Sequence, residues 1–473
     1  MLELKKDDFL KSFILKVSKF METPYFALLL CFLEVLCYYL SLDLFIIITV
    51  SFFISFGFLF KKNLNCLLVI FLFMASMISL KNSPANIDMN SNNTFFFEPS
   101  SYITCFIAVA IPVLIVLARA IQNFILGKIS FGWTSFSTIL LGVIFLFNGA
   151  FSNSYNNLNF LFGLFMLFFF TIFYFSVYPD VSINKESIVF ISRQVGFYIL
   201  VPAIEMFIYY IRYFVDGNII TSRLDIFLGW GNRNTIGLLF VICFCFLIYM
   251  ARCEKNIYFK VYSYILCFLV FVGIMMSFSR QTYLFFWLLI SSYFLISAIK
   301  GNKATKLRYL ILLGLWILCS FGSLLALSCF GVLDMLEMKV FGVERITLLK
   351  EAFDAFVANP IFGSGFYFVG SDPVVQLDAI LPYFCHNTLL EMLGACGILG
   401  LLSYGFYRFN TIKEIFKNFC IEKVPVIMAL SIIILMSLFD IHIFDLMGSA
   451  IYIVLLSMAV SKKENAVIVE ENY

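Results

Sequence analysis

Ser277-Phe278-Ser279-Arg280-Gln281 closes one apolar run and opens the next with almost no loop between them. Pro382-Tyr383-Phe384-Cys385-His386-Asn387 stands at the foot of another apolar run, just after the longest polar segment. Charge in or beside a bilayer is costly, so an arginine and a histidine at such places are functional candidates by default. A guanidinium grips phosphate in a planar, bidentate manner. A neutral imidazole accepts a proton. A phosphate grip and a base are what glycosyl transfer from a lipid diphosphate requires.

Each residue also has a plainer reading. Arg280 either belongs to a site or snorkels to mark the membrane edge, and the flanking serines and Gln281 favour a site. His386 is either a general base or a capping or interface histidine. The positive end of a helix dipole at this position disfavours imidazolium and favours a neutral ring. Glu391, one turn and a residue further on, is placed to orient that ring, as is Asn387 beside it. Arg223 and Arg233 frame a glycine-rich, aromatic stretch ending in Gly229-Trp230-Gly231-Asn232-Arg233-Asn234. That stretch reads either as a ligand-approach loop or as ordinary turns. Arg345 opens an amphipathic segment, as a phosphate contact or a solvated charge. His442, the second of two histidines, falls in a tight turn and reads as structural. Arg193 and Glu205 share one run but lie about 18 Å apart along a helix, too far to pair.

The elements that carry these residues are apolar. The chain is 62% hydrophobic and 13% charged, about half the charge a soluble surface needs. Runs long enough to cross the hydrocarbon core recur throughout. The reading is all-α: a polytopic transmembrane helical bundle of about fourteen spans. They fall near 24–41, 43–60, 64–80, 101–121, 133–151, 157–178, 187–211, 234–252, 258–278, 282–299, 307–331, 384–406, 424–440 and 443–460.

Four stretches flank or interrupt these runs: a cytoplasmic amphipathic N-terminus over 1–23, spans over 24–331 and 384–460, a large extracytoplasmic loop over 332–383, and a cytoplasmic tail over 461–473. Within the loop, Glu344 to Asn359 has helical periodicity, with Ile346, Leu349, Phe353, Phe356 and Val357 on one stripe. Pro360 stops it, and Gly363-Ser364-Gly365 turns the chain.

Charge supports this topology. Of the 32 Lys and Arg residues, only Lys81, Arg212, Arg223, Arg233, Arg280, Lys339, Arg345 and Lys350 fall on the outer side, with Arg193 inside a span. The rest fall inside, which places both termini in the cytoplasm. The outer minority is mostly arginine, the residue suited to phosphate.

No metal-ligand spacing, P-loop or dinucleotide fingerprint occurs among these motifs, so ATP-driven work and metal catalysis are not expected, and no cofactor is implied. Most of the 13 cysteines lie inside apolar runs. Cys329 and Cys385 are the pair near the outer face that a disulfide would join.

Taken in order, these motifs resemble the O-antigen ligase and O-antigen polymerase superfamily. The order is Ser222-Arg223-Leu224, then Gly231 to Asn234, Ser279-Arg280, Arg345 with Ala358-Asn359-Pro360-Ile361-Phe362-Gly363, and His386-Asn387-Thr388 with Gly397-Ile398-Leu399-Gly400. It covers roughly 221–402. Two positions depart from the family pattern. Gln281 stands where Gly is frequent, and Arg233 stands inside a motif that commonly reads Asn-Pro-Asn.

The resemblance implies a metal-independent, inverting, membrane-embedded glycosyltransferase of the GT-C type, in a bacterial inner membrane. Donor and acceptor are polyprenyl-diphosphate-linked oligosaccharides. Arg223 and Arg280 bind the diphosphate, with Arg233 and Arg345 as further candidates, and His386 deprotonates the acceptor hydroxyl. A polymerase of surface polysaccharide repeats is the first expectation, working beside a flippase and a chain-length regulator, with no nucleic-acid partner. A ligase moving finished glycan to another acceptor is the second. A transporter is a third, disfavoured because the polar residues gather at one face.

Overall fold

A computed structural model describes residues 2–40, 43–77, 99–153, 155–215, 233–277, 279–300, 303–329, 343–368, 385–440, 442–444 and 446–462. The described residues are helical, with no strand among them. In chain order the helices are α1 (Leu2–Met21), α2 (Pro24–Leu40), α3 (Asp43–Phe60), α4 (Leu67–Met77), α5 (Pro99–Ile125), α6 (Trp133–Leu146) and α7 (Asn157–Leu167). A π-helical turn, Phe168–Phe173, links α7 to α8 (Tyr174–Val177). There follow α9 (Lys185–Tyr198), α10 (Leu200–Val215), α11 (Arg233–Cys253), α12 (Ile257–Met276), α13 (Arg280–Lys300) and α14 (Lys303–Cys329). The last are α15 (Val343–Ala358), α16 (Thr388–Lys417), α17 (Val424–Met436) and α18 (Leu446–Val460).

Among the described residues, 7 helices are long and apolar enough to cross a membrane. They include Asn234–Cys253, Arg280–Ile299 and Thr388–Lys417. The run over 187–211 is one of these, Lys185–Ile208, its helix interrupted at Ile199 ahead of Pro202, which has no N–H for the ladder. One sequence expectation changes. The run over 424–440 ends its helix at Met436, which leaves Asp440 in the turn before α18.

α11 is the axis of the bundle. From Ile236 to Leu247 every side chain is almost wholly buried where one is present. A helix apolar all round belongs inside a bundle, and α11 packs on α9, α12, α13 and α17. Gly237 brings α13 close: a Cβ there would sit 2.1 Å from Thr282 Oγ1. At the far end of α11, about 30 Å along the axis, Arg193 Nε pairs with Glu254 Oε2 at 2.8 Å. Another tie joins α5 to the chain leaving α8, where Asp180 accepts from Arg119 at 2.8 Å and Lys128 at 2.7 Å.

α16 is broken. Gly397 has φ 66° and ψ −160°, outside helical space, so a short first segment meets a longer one at a bend. The segment after α15 fills the break. Ser364 N–H donates to Gly394 O at 2.8 Å and Gly365 N–H to Ala395 O at 3.0 Å. Ile398 and Leu399 N–H donate back to Pro360 O and Ile361 O at 2.9 and 3.3 Å. The backbone groups that the bend frees are thereby paired, as buried backbone requires.

α15 is the amphipathic helix expected near residues 344–359. Ala352 is buried against Cys385, with Leu348, Leu390 and Phe368 around it. Ile346, Phe353 and Val357 are exposed on the other side. In a bilayer an apolar stripe faces lipid as readily as protein, and close helix contact is made by small residues.

Candidate functional site

Asp440 gathers the site. Its carboxyl is 5% exposed, and His386 Nδ1 lies 3.0 Å from its Oδ1. Asn234 Nδ2 donates to Oδ2 at 2.9 Å, and Gln281 Nε2 reaches the same oxygen at 3.5 Å. His442 Nε2 is 3.9 Å from Oδ2 and 3.4 Å from Gln281 Nε2. Burial alone would raise this carboxyl. The His442 charge, the bond and charge of His386 and the Asn234 amide overcome burial and hold it well below the ordinary carboxylate range.

Three helices begin here. Asn234 is in the first turn of α11, Gln281 in that of α13, and His386 directly precedes the cap of α16. Their dipoles add positive potential at one place. Such a place suits an anion. Arg280, half-buried, is the first residue of α13, between Ser279 and Gln281. Both neighbours are wired to Asp440: Gln281 directly, and Ser279 by an Oγ bond of 2.7 Å to Asn234 Oδ1.

His386 is held in an unusual backbone state. Its φ is +56°, the one positive φ at a non-glycine among the described residues. That state costs about 1–3 kcal/mol and persists only where the surroundings impose it. Five bonds impose it. Cys385 N–H donates to Glu391 Oε2 at 2.9 Å. Asn387 Oδ1 caps α16 through Leu389 and Leu390 N–H at 3.0 and 3.1 Å. Thr388 N–H donates to Ser437 O at 3.0 Å, and Asn387 Nδ2 to Leu438 O at 3.0 Å. These ties also fasten the His386 turn to the turn that bears Asp440. The His386 side chain is 35% exposed, so the ring has one face to a visitor.

The expected residues fare unequally. His386 and the Arg280 segment come together through Asp440. Glu391 binds the Cys385 amide, so it orients the peptide before His386, while the ring is oriented by Asp440, which the sequence reading passed over. Asn387 caps the helix and ties the two turns together. Cys385 is a buried free thiol, its Sγ bonded to Asn387 O at 3.4 Å, and is not in a disulfide with Cys329. His442 lies beneath Asp440, beside a cavity of about 20 Å³ lined mainly by apolar residues of α11, α17 and α18. That volume holds a water, not a sugar. Arg233 is the first residue of α11 and Arg345 the third of α15. Arg223 lies outside the described residues, as do 81–98, 330–342 and 369–384. No His/Cys/Asp/Glu cluster able to hold a metal occurs among the described residues.

No curated protein matches the chain. Residues 265–405 match the family model described as O-Antigen ligase. That stretch includes Arg280, Arg345, His386, Asn387 and Glu391, and it ends before Asp440. This match supports the resemblance of residues 265–405 to the O-antigen ligase and polymerase superfamily.

Proposed function

We propose that this protein polymerises polyprenyl-diphosphate-linked oligosaccharide repeats at the outer face of a bacterial inner membrane, with both termini cytoplasmic. The observation that carries the reading is the union of His386, Asp440 and the start of the Arg280 helix in one hydrogen-bonded group. An ionised Asp440 accepts the Nδ1 proton of His386, which leaves Nε2 with its lone pair on the exposed side.

In this mechanism the acceptor sugar hydroxyl attacks the anomeric carbon of the donor. The new C–O bond forms as the bond to the diphosphate breaks, and attack from the opposite face inverts the centre. The hydroxyl proton passes to His386 Nε2. The electron pair leaves on the polyprenyl diphosphate, whose charge Arg280 and the converging helix N-termini stabilise. Arg223, Arg233 and Arg345 are further diphosphate contacts in this reading. Energy comes from the donor's own phosphate ester, and the residues supply neither metal nor cofactor to the scheme.

The matched family's description favours a second reading, transfer of finished glycan to another acceptor. Acceptor identity separates the two. Purified protein supplied with a lipid-linked repeat alone makes longer chains if it is a polymerase. A ligase leaves that repeat unextended until another acceptor is added.

A further inference from the structure

Hydrogen-bond polarity runs in one direction through the site. An ionised carboxylate only accepts, so Asn234 must turn its Nδ2 to Asp440, at 2.9 Å. Its Oδ1 then faces Ser279, whose hydroxyl must donate, at 2.7 Å. Ser279 Oγ is thereby left to accept, and Thr282 Oγ1 donates to it at 2.7 Å. Ser279 and Thr282 are buried to 1% and 0% exposure. Gly237, one turn below Asn234, admits Thr282 to this contact. No member can reverse without setting two acceptors against each other.

We propose that Asn234 is a positioning residue for His386, acting through Asp440, and that Ser279 fixes the orientation of its amide. Asn234 occupies Oδ2 and leaves Oδ1 to the imidazole, which fixes the Nδ1–H tautomer and presents Nε2 as the base. Because Ser279 precedes Arg280, the same chain sets the register between the base and the phosphate-binding end of α13. This assignment deepens the proposed glycosyl transfer and rests on the reading of His386 as its base.

The test reads the tautomer without any substrate. The chain has 2 histidines, so ¹⁵N-histidine labelling in nanodiscs gives two ring systems, assigned with His442→Gln. The groups against them are Asp440 and Gln281, with Glu391 behind the Cys385 amide. Native protein should show His386 protonated at Nδ1 alone when neutral. Asn234→Ala should give a mixture of tautomers. Asn234→Asp, nearly the same shape, cannot give the amide's hydrogen bond to an ionised Asp440 and should likewise give a mixture of tautomers.

An unchanged tautomer in both variants, each folded by thermal melt, overturns the assignment. If the tautomer changes while no variant and no native sample extends glycan, the positioning role stands and the glycosyl-transfer reading falls. In a working polymerase, Asn234→Ala should lower kcat at least tenfold with little change in KM, which a loss of substrate contact would not do.

Discussion

His386 Nδ1 and Asp440 Oδ1 lie 3.0 Å apart across 54 residues of sequence, each borne on its own turn. The ties between those turns, from Thr388 to Ser437 O and from Asn387 to Leu438 O, hold the pair to one geometry. An imidazole oriented by a buried carboxylate and open on its other face is the arrangement a general base requires.

Asp440→Asn should therefore cripple the enzyme while preserving the fold. The amide keeps the shape but can donate to Nδ1, which favours the wrong tautomer. Glycan extension should fall by about 10³–10⁴-fold, the scale seen when an orienting carboxylate is lost elsewhere. Chain-length analysis of the product on gels checks this, with the variant's yield in the membrane as the control for folding.

Acid should act on stability through the same carboxylate. The folded value of Asp440 is depressed below its unfolded one. Its contribution is thus complete above the ordinary carboxylate value of about 3.9 and is lost as pH falls through the depressed folded value. Native protein and Asp440→Asn should differ in melting temperature at about pH 5, and that difference should narrow below about pH 4.

Arg280→Lys should lower extension about a hundredfold, because an ammonium cannot grip a diphosphate bidentately. Arg280→Ala should abolish it. Measured rates at saturating donor separate this from a loss of binding alone. Undiminished turnover by Arg280→Lys removes the bidentate grip from the account.

Gly397→Ala addresses the scaffold. A Cβ at this positive-φ position would lie 2.4 Å from Ile361 O, inside the paired backbone that fills the bend of α16. Strain and clash together should cost about 3 kcal/mol or more. The variant should show a markedly lower melting temperature and lose activity with it. Gly405→Ala, with open space around its Cβ, should leave both unchanged.

The helices were legible because apolarity and run length suffice to find them: Asp43–Phe60 coincides with the expected span. Arg280 and His386 were legible as charge at the edges of apolar runs. Asp440 was not, because it sits at the end of a run where a carboxylate reads as a boundary, and its partners lie in α11, α13 and the turn before α16. The bend at Gly397 was hidden for a related reason. A Gly inside an apolar run leaves hydropathy unbroken, and only the Pro360–Gly365 backbone docked there shows that the helix stops. Which face of α15 meets protein was not legible, because apolarity does not separate lipid from protein as a neighbour, and Ala352 outranks Phe353 at a close contact.

The most direct test of the central claim places purified protein in nanodiscs with a polyprenyl-diphosphate-linked repeat, in chelator and with no nucleotide. The native protein should lengthen the glycan and release polyprenyl diphosphate in step, and His386→Ala should do neither. Full-rate lengthening by His386→Ala, or release without any dependence on His386 and Asp440, would contradict the account.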